Sequence, residues 1–228
     1  MDLTNLTKEE IEDLLQAIQK IFPQKPRIAI LEQLVQGQQL SSFLGQALNN
    51  LAHRQTKKIC QAAVKQNGRA LQYVQHQTPD ICLTAVKQKG YVLKYVQNQT
   101  EEICLAAVKE NGLALKYVQR QTEDICLQAV KEAGWALYYV QHQTEEICLQ
   151  AVKQDGTALK YIKHQTEDIC MQAVNENGHA LRYVKHKIPN ICLAAVQQNE
   201  KALQYVKSTK LKYKLRHKLK EEAWTSQT

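Results

Sequence analysis

Apolar and polar positions recur with a period of 22 residues from Thr56 to about Lys207. One unit reads Thr100-Glu-Glu-Ile-Cys-Leu-Ala-Ala-Val-Lys-Glu-Asn-Gly-Leu-Ala-Leu-Lys-Tyr-Val-Gln-Arg-Gln121. Seven units begin at Thr56, Thr78, Thr100, Thr122, Thr144, Thr166 and Ile188, without insertions. A fixed period of roughly 20 to 50 residues is the signature of a solenoid. With Ile103 set at zero and a step of about 100° per residue, Cys104, Leu105, Ala107 and Val108 cover roughly 200° of a helix, leaving Ala106, Lys109 and Glu110 for the remainder. So broad an apolar arc predicts a helix packed on several neighbours. In the second half of the unit, Ala114, Leu115 and Val118 share a face with Tyr117 at its edge, which predicts a second short helix. No alternating strand pattern is present, so a leucine-rich repeat is excluded.

Local signals set the ends of the first helix. Thr caps its free N–H groups, acidic residues such as Glu101-Glu102 complement the positive end of its dipole, and Pro79 and Pro189 occupy the first helical position. Gly68, Gly90, Gly112, Gly134, Gly156 and Gly178 are expected to close it in the left-handed conformation. Neither helix is long enough to stand alone, whereas stacked units bury a shared core and need polar end caps. Unit seven has that worn character: Ile188 replaces Thr, Glu200 replaces Gly, and Ser208-Thr209 replaces the usual His-Gln.

The ends differ from the repeats. Leu6-Thr7-Lys8-Glu9-Glu10-Ile11 combines a capping box (Thr7, Glu10) with a hydrophobic staple (Leu6, Ile11). Apolar positions then predict helices through Phe22, from Pro26 to Val35, and from Ser41 or Ser42 to Leu51. The tail from Lys207 to Lys220 holds seven Lys/Arg and no acid, with Leu211, Leu215 and Leu219 every four residues. It reads as a final basic amphipathic helix whose leucines cover unit seven. The expected architecture is all-α: a right-handed alpha-solenoid of seven two-helix repeats over 56–209, an N-terminal helical head over 1–55, and a C-terminal capping helix and tail over 210–228.

Composition changes this picture little. The chain has 228 residues and a net charge of +8; residues 1–55 carry 5 basic and 6 acidic residues, 56–206 carry 18 and 14, and 207–228 carry 7 and 2. The basic excess therefore lies at the C-terminus. No signal peptide and no run of about 18 apolar residues is present, which points to a cytoplasmic protein without a membrane span.

The seven cysteines, Cys60 to Cys192, fall one per unit. Stacked helices lie about 8–10 Å apart, beyond the roughly 4.4–6.8 Å between Cα atoms that a disulfide spans. No Cys-x-x-Cys pair offers zinc spacing. The cysteines read as small buried hydrophobes at a fixed core position, in a reducing compartment.

The recurring Ile-Cys-Leu-x-Ala-Val-Lys-x-x-Gly-x-Ala-Leu-x-Tyr-Val resembles a short helical repeat of bacterial and giant-virus proteins, known as domain of unknown function 4116. The resemblance runs from Thr56 to about Lys207, supports the solenoid, and implies no reaction and no catalytic residues. Leu6-Thr-Lys-Glu-Glu-Ile, Ala17-Ile and Ile21-Phe22-Pro23 resemble the opening of effector-associated domains, the small helical adaptors of bacterial conflict systems.

Comparison of the units separates scaffold from surface. The residue after the glycine position changes every time: Arg69, Tyr91, Leu113, Trp135, Thr157, His179, Lys201. Three residues on stand Gln72, Lys94, Lys116, Tyr138, Lys160, Arg182 and Gln204, on the same helix face. Aromatic residues and Arg dominate binding hot spots. The expected partner-binding residues are therefore Tyr91, Lys94, Lys116, Trp135, Tyr138, Lys160 and Arg182, in a non-catalytic scaffold for protein–protein interaction. Nucleic acid is the second partner class, because aromatics among lysines stack bases and neutralise phosphates.

Two further columns read as structural. His76, His142, His164 and His186 sit on rungs too far apart to share an ion. Gln55, Gln77, Gln99, Gln121, Gln143 and Gln165 precede each threonine that opens a unit, as a ladder bonding the turns. No nucleophile–base set, phosphate loop or Glu-x-x-His pair stands out. No cofactor, metal or catalytic residue is expected.

Overall fold

A computed structural model describes residues 57–225, with side chains except that of Ile59 and those beyond Leu219, together with Asp13 and Gln16, both helical. The rest of the expected head lies outside the described residues. The chain forms two compact units, Met1–Gln119 and Arg120–Thr228. All regular structure among the described residues is helical, and the fold is an all-α solenoid of repeated helix pairs.

In the first unit the α-helices Lys57–Gln66, Pro79–Gln88 and Glu101–Glu110 alternate with 3-10 helices Gly68–Tyr73, Gly90–Tyr95 and Gly112–Tyr117. In the second, α-helices Glu123–Glu132, Glu145–Gln154, Glu167–Glu176 and Pro189–Gln198 alternate with 3-10 helices Gly134–Tyr139, Gly156–Tyr161, Gly178–Tyr183 and Glu200–Tyr205. Within each unit every α-helix packs on its successor, and so does every 3-10 helix. The helix Thr209–Thr225 then packs on Pro189–Gln198 and buries Leu215, as expected of a capping helix.

The core is the predicted one. Ile103, Cys104, Ala107, Val108, Ala114, Leu115 and Val118 are buried, as are their described counterparts in the other repeats, while Leu105 of the predicted arc is half-buried. Thr100, Thr122, Thr144 and Thr166 cap their helices by accepting the N–H of the isoleucine three residues on. The second helix of each repeat is 3-10 rather than α. Ala114 N–H bonds Asn111 O, and Val118 N–H bonds Leu115 O, both three residues back. Asn111 itself is extended (φ −150°, ψ 107°), and its side chain accepts Leu113 N–H, so one residue ends the first helix and starts the second.

The glycines serve a different purpose from the one the sequence suggests. None of Gly68, Gly90, Gly134, Gly156 and Gly178 has a positive φ. Each lies against the next repeat instead. A Cβ on Gly134 would stand 2.6 Å from Ala151 O, and one on Gly68 2.8 Å from Ala85 O. Gly134 N–H also donates to Gln154 Oε1 at 2.6 Å, and Gly68 N–H to Gln88 Oε1 at 2.9 Å. Close approach, not backbone handedness, selects glycine. Unit seven has no following repeat to approach, and there Glu200 is exposed.

Candidate partner-binding strip

The 3-10 geometry brings the two variable columns together. Residues three apart eclipse each other in a 3-10 helix, so the residue after each glycine and the one three positions later stack on one edge. Each unit carries its own set.

In the second unit, Trp135, Tyr138 and Lys160 meet around Tyr161. Trp135 and Tyr138 are 53% and 65% exposed, large apolar side chains left in water. Both meet the Tyr161 ring edge-to-face, with centroids at 6.0 and 5.3 Å, and Tyr138 also meets Tyr139 at 5.0 Å. Trp135 Nε1 donates to Asp155 Oδ2 at 2.6 Å and to Thr157 Oγ1 at 3.1 Å. Asp155 Oδ1 accepts both Thr157 N–H (2.8 Å) and Thr157 Oγ1–H (2.7 Å). The indole is thus tied to the next repeat while its surface stays open. Lys160 Nζ lies 5.4 Å from the Tyr161 ring centroid, and the Arg182 guanidinium 4.9 Å from that of Tyr183, one rung further on.

In the first unit, Tyr91 is half-buried, and its hydroxyl accepts from Arg69 Nε, whose guanidinium also lies 5.2 Å from the ring centroid. Lys94 and Lys116 lie over Tyr95 and Tyr117, at 4.6 and 5.8 Å. A hydrogen bond with Tyr95 raises the pKa of Lys94. The recurring pattern is a cation over the tyrosine next to it.

Sequence reasoning named Arg69 and Thr157 as variable positions without counting them as contacts, and missed Tyr161 and Asp155. The tyrosine looked like scaffold because it never changes. Asp155 left one signal: Asn67, Asn111, Asn177 and Asn199 occupy its position in four other repeats, and only here is it a carboxylate.

The cysteine and histidine columns differ in burial. All seven cysteines are buried and reduced. Burial pushes Cys82, Cys126 and Cys148 up to about 11, so these thiols stay protonated and unreactive near neutrality. Cys82, Cys104, Cys126 and Cys170 donate weakly to the glutamine five residues earlier, at 3.5–3.7 Å. His76, His142, His164 and His186 are exposed. Two of them, His142 and His164, line an open cleft of about 370 Å³ floored by Cys148 and Ile169. Among the described residues no group of three His, Cys, Asp or Glu is placed to hold a metal ion. No described helix is long and apolar enough to cross a membrane.

The glutamine ladder forms as the sequence suggests. Gln77, Gln99, Gln121, Gln143 and Gln165 each donate Nε2 to the tyrosine carbonyl 18 residues on, at 2.9–3.0 Å. Each Oε1 accepts the N–H 20 residues on, at 2.9–3.0 Å.

A family model described as Domain of unknown function (DUF4116) matches residues 100–143, 122–165, 144–188 and 166–212, overlapping windows in step with the 22-residue period. No curated protein and no solved structure matched the chain.

Proposed function

We propose, for a chain whose residues 100–212 match that family, a non-catalytic scaffold that binds a protein partner through the variable residues of its 3-10 helices. One observation carries this reading: Trp135 and Tyr138 stand exposed yet held, on a scaffold whose other large apolar side chains in the second unit are covered up to the final helix. Tyr and Trp supply broad contact area at low entropic cost, and a side chain already fixed has less freedom to lose on binding. Tyr91, Lys94 and Lys116 in the first unit, and Lys160 and Arg182 in the second, complete the proposed contact residues.

The test replaces Trp135 and Tyr138 by Ala together. Neither side chain belongs to the core, so helicity is expected to be retained, with the melting temperature somewhat lowered by loss of the contacts to Tyr161, Asp155 and Thr157. Capture of the partner from host extract, identified by mass spectrometry, is expected to disappear. Undiminished capture by the double variant overturns the assignment.

A second reading, nucleic-acid binding, draws on the final helix. Lys210, Lys214, Arg216 and Lys218 are exposed around the buried Leu215, and Tyr213 is 71% exposed. Phosphate neutralisation makes affinity fall steeply with salt. Oligonucleotide binding with a steep salt slope, lost on reversal of these charges, favours this reading over the first.

A further inference from the structure

We infer that the patch of the second unit takes an acidic peptide segment carrying one apolar anchor side chain. This inference rests on the protein-binding reading above and names the chemistry of its occupant.

The anchor site is the aromatic plate. Trp135 and Tyr138 lean on Tyr161, and the bonds from Trp135 to Asp155 and Thr157 hold the indole in place. An apolar side chain laid on such rings displaces water from surface that is already ordered, so little conformational freedom is lost. The rings expose too little area to hold a partner alone, and the charges around them decide which partner fits.

Those charges are one-sided. The eight variable positions of the second unit are Trp135, Tyr138, Thr157, Lys160, His179, Arg182, Lys201 and Gln204, with three cations and no carboxylate. Six of the ten carboxylates of the same repeats stand instead in the first turns of the α-helices, as in Glu145, Glu146, Glu167 and Asp168, where they complement the helix dipoles, while Glu200 is exposed beside Lys201, which leaves Lys160 and Arg182 as the cations open to a partner. Asp155 is the acidic group beside the plate; it accepts from Trp135 and Thr157 and keeps its negative charge, so the acids of a bound peptide lie away from the plate and only the apolar anchor sits beside it. A carboxylate on the partner therefore meets Lys160 or Arg182.

Spacing favours an extended peptide. Stacked helices repeat at about 8–10 Å, and a peptide in the polyproline II conformation covers that distance in about three residues, one turn, which brings its side chains back to the same side. Acidic residues three apart would then face Lys160 and Arg182 together, with the anchor on the aromatic plate. Three cations give too little charge for phosphate neutralisation to dominate, which ranks a peptide above a nucleic acid here.

The experiment selects from a random dodecapeptide phage library on the full-length protein, in parallel with the Trp135→Ala/Tyr138→Ala variant. Enriched peptides are expected to share one aromatic or leucine residue flanked by Asp or Glu, and to be absent from the variant's pool. A fluorescein-labelled consensus peptide, measured by anisotropy, is expected to lose about tenfold in affinity on Lys160→Glu/Arg182→Glu. The same variant is expected to prefer the peptide with Lys in place of its acids. Circular dichroism confirms that each variant is folded. Neutral or basic consensus peptides that still require Trp135 and Tyr138 overturn the acidic occupant and leave the protein-binding reading standing. Absence of any enrichment dependent on those two residues overturns both. Binding of fluorescein-labelled oligo-dT with that same dependence, in place of peptides, also overturns both.

Discussion

At the residue scale, the glycine after the first helix shows how a local rule gives way to a packing one. Gly134 sits where a Cβ would meet Ala151 O at 2.6 Å, Gln154 Oε1 at 2.9 Å and Asp155 Cβ at 3.2 Å. The first of these is backbone, which cannot move without shifting the next repeat. Gly134→Ala is therefore expected to destabilise by about 2–3 kcal/mol through overpacking, although alanine has the better helix propensity. Glu200→Ala, at the equivalent position facing no further repeat, is expected to change stability by less than about 0.5 kcal/mol. Urea denaturation of the two variants beside the parent checks the contrast. A Gly134→Ala variant as stable as the parent would overturn close contact as the reason for glycine.

At the element scale, most of each repeat was legible because its signals are local. Threonine caps, the Ile-Cys-x-x-Ala-Val arc and the glutamine ladder each follow from residue chemistry at fixed spacing. The 3-10 form of the second helix was not legible. Helical periodicity over six residues does not separate two turns of 3-10 from a turn and a half of α, and the choice lies in the extended residues at both ends, such as Asn111 and Val118. The variable columns were readable, but their assembly around Tyr161 was not, because an unchanging tyrosine carries no signal of contact with a neighbour's tryptophan. The final rung supplies a test of the ladder. Lys187 stands where the other repeats have glutamine, and its Nζ donates to Val184 O at 2.7 Å. Lysine has no acceptor for the Lys207 N–H, which the glutamine carbonyl would bond. Burial and then the nearby Lys207 charge lower the Lys187 pKa. Lys187→Gln is expected to bond Tyr205 O and Lys207 N–H and to stabilise the protein by about 1 kcal/mol. A melting temperature unchanged or lowered by this substitution counts against the ladder as a source of stability.

At the scale of the whole molecule, the buried thiols couple folding to alkaline pH. An unfolded cysteine ionises around its ordinary value of 9.0, while burial raises all seven in the fold and takes Cys82, Cys126 and Cys148 to about 11. A pKa raised by folding contributes stability that is complete below the unfolded value and is lost as pH rises towards the folded one, because the unfolded chain then holds fewer protons. Each such thiol gives a slope of about 1.4 kcal/mol per pH unit inside that window. The three at about 11 alone give roughly 4 kcal/mol per pH unit, against a total stability of about 5–15 kcal/mol for a typical domain. Lys187 acts with the opposite sign: its lowered pKa penalises the fold while charged and releases that penalty as pH rises through the folded value towards 10.5. One lysine set against seven thiols does not reverse the outcome. The melting temperature is expected to hold from neutrality to about pH 9 and to fall steeply between about pH 9 and pH 11. Ellman's reagent is expected to find the thiols inaccessible at pH 8 until denaturant is added. Replacing Cys82, Cys126 and Cys148 by Ala is expected to lower stability at neutral pH through the cavities left behind, and to flatten the alkaline fall. A fall of the same steepness in that triple variant would place the alkaline sensitivity on other groups and leave the cysteine column a matter of packing alone.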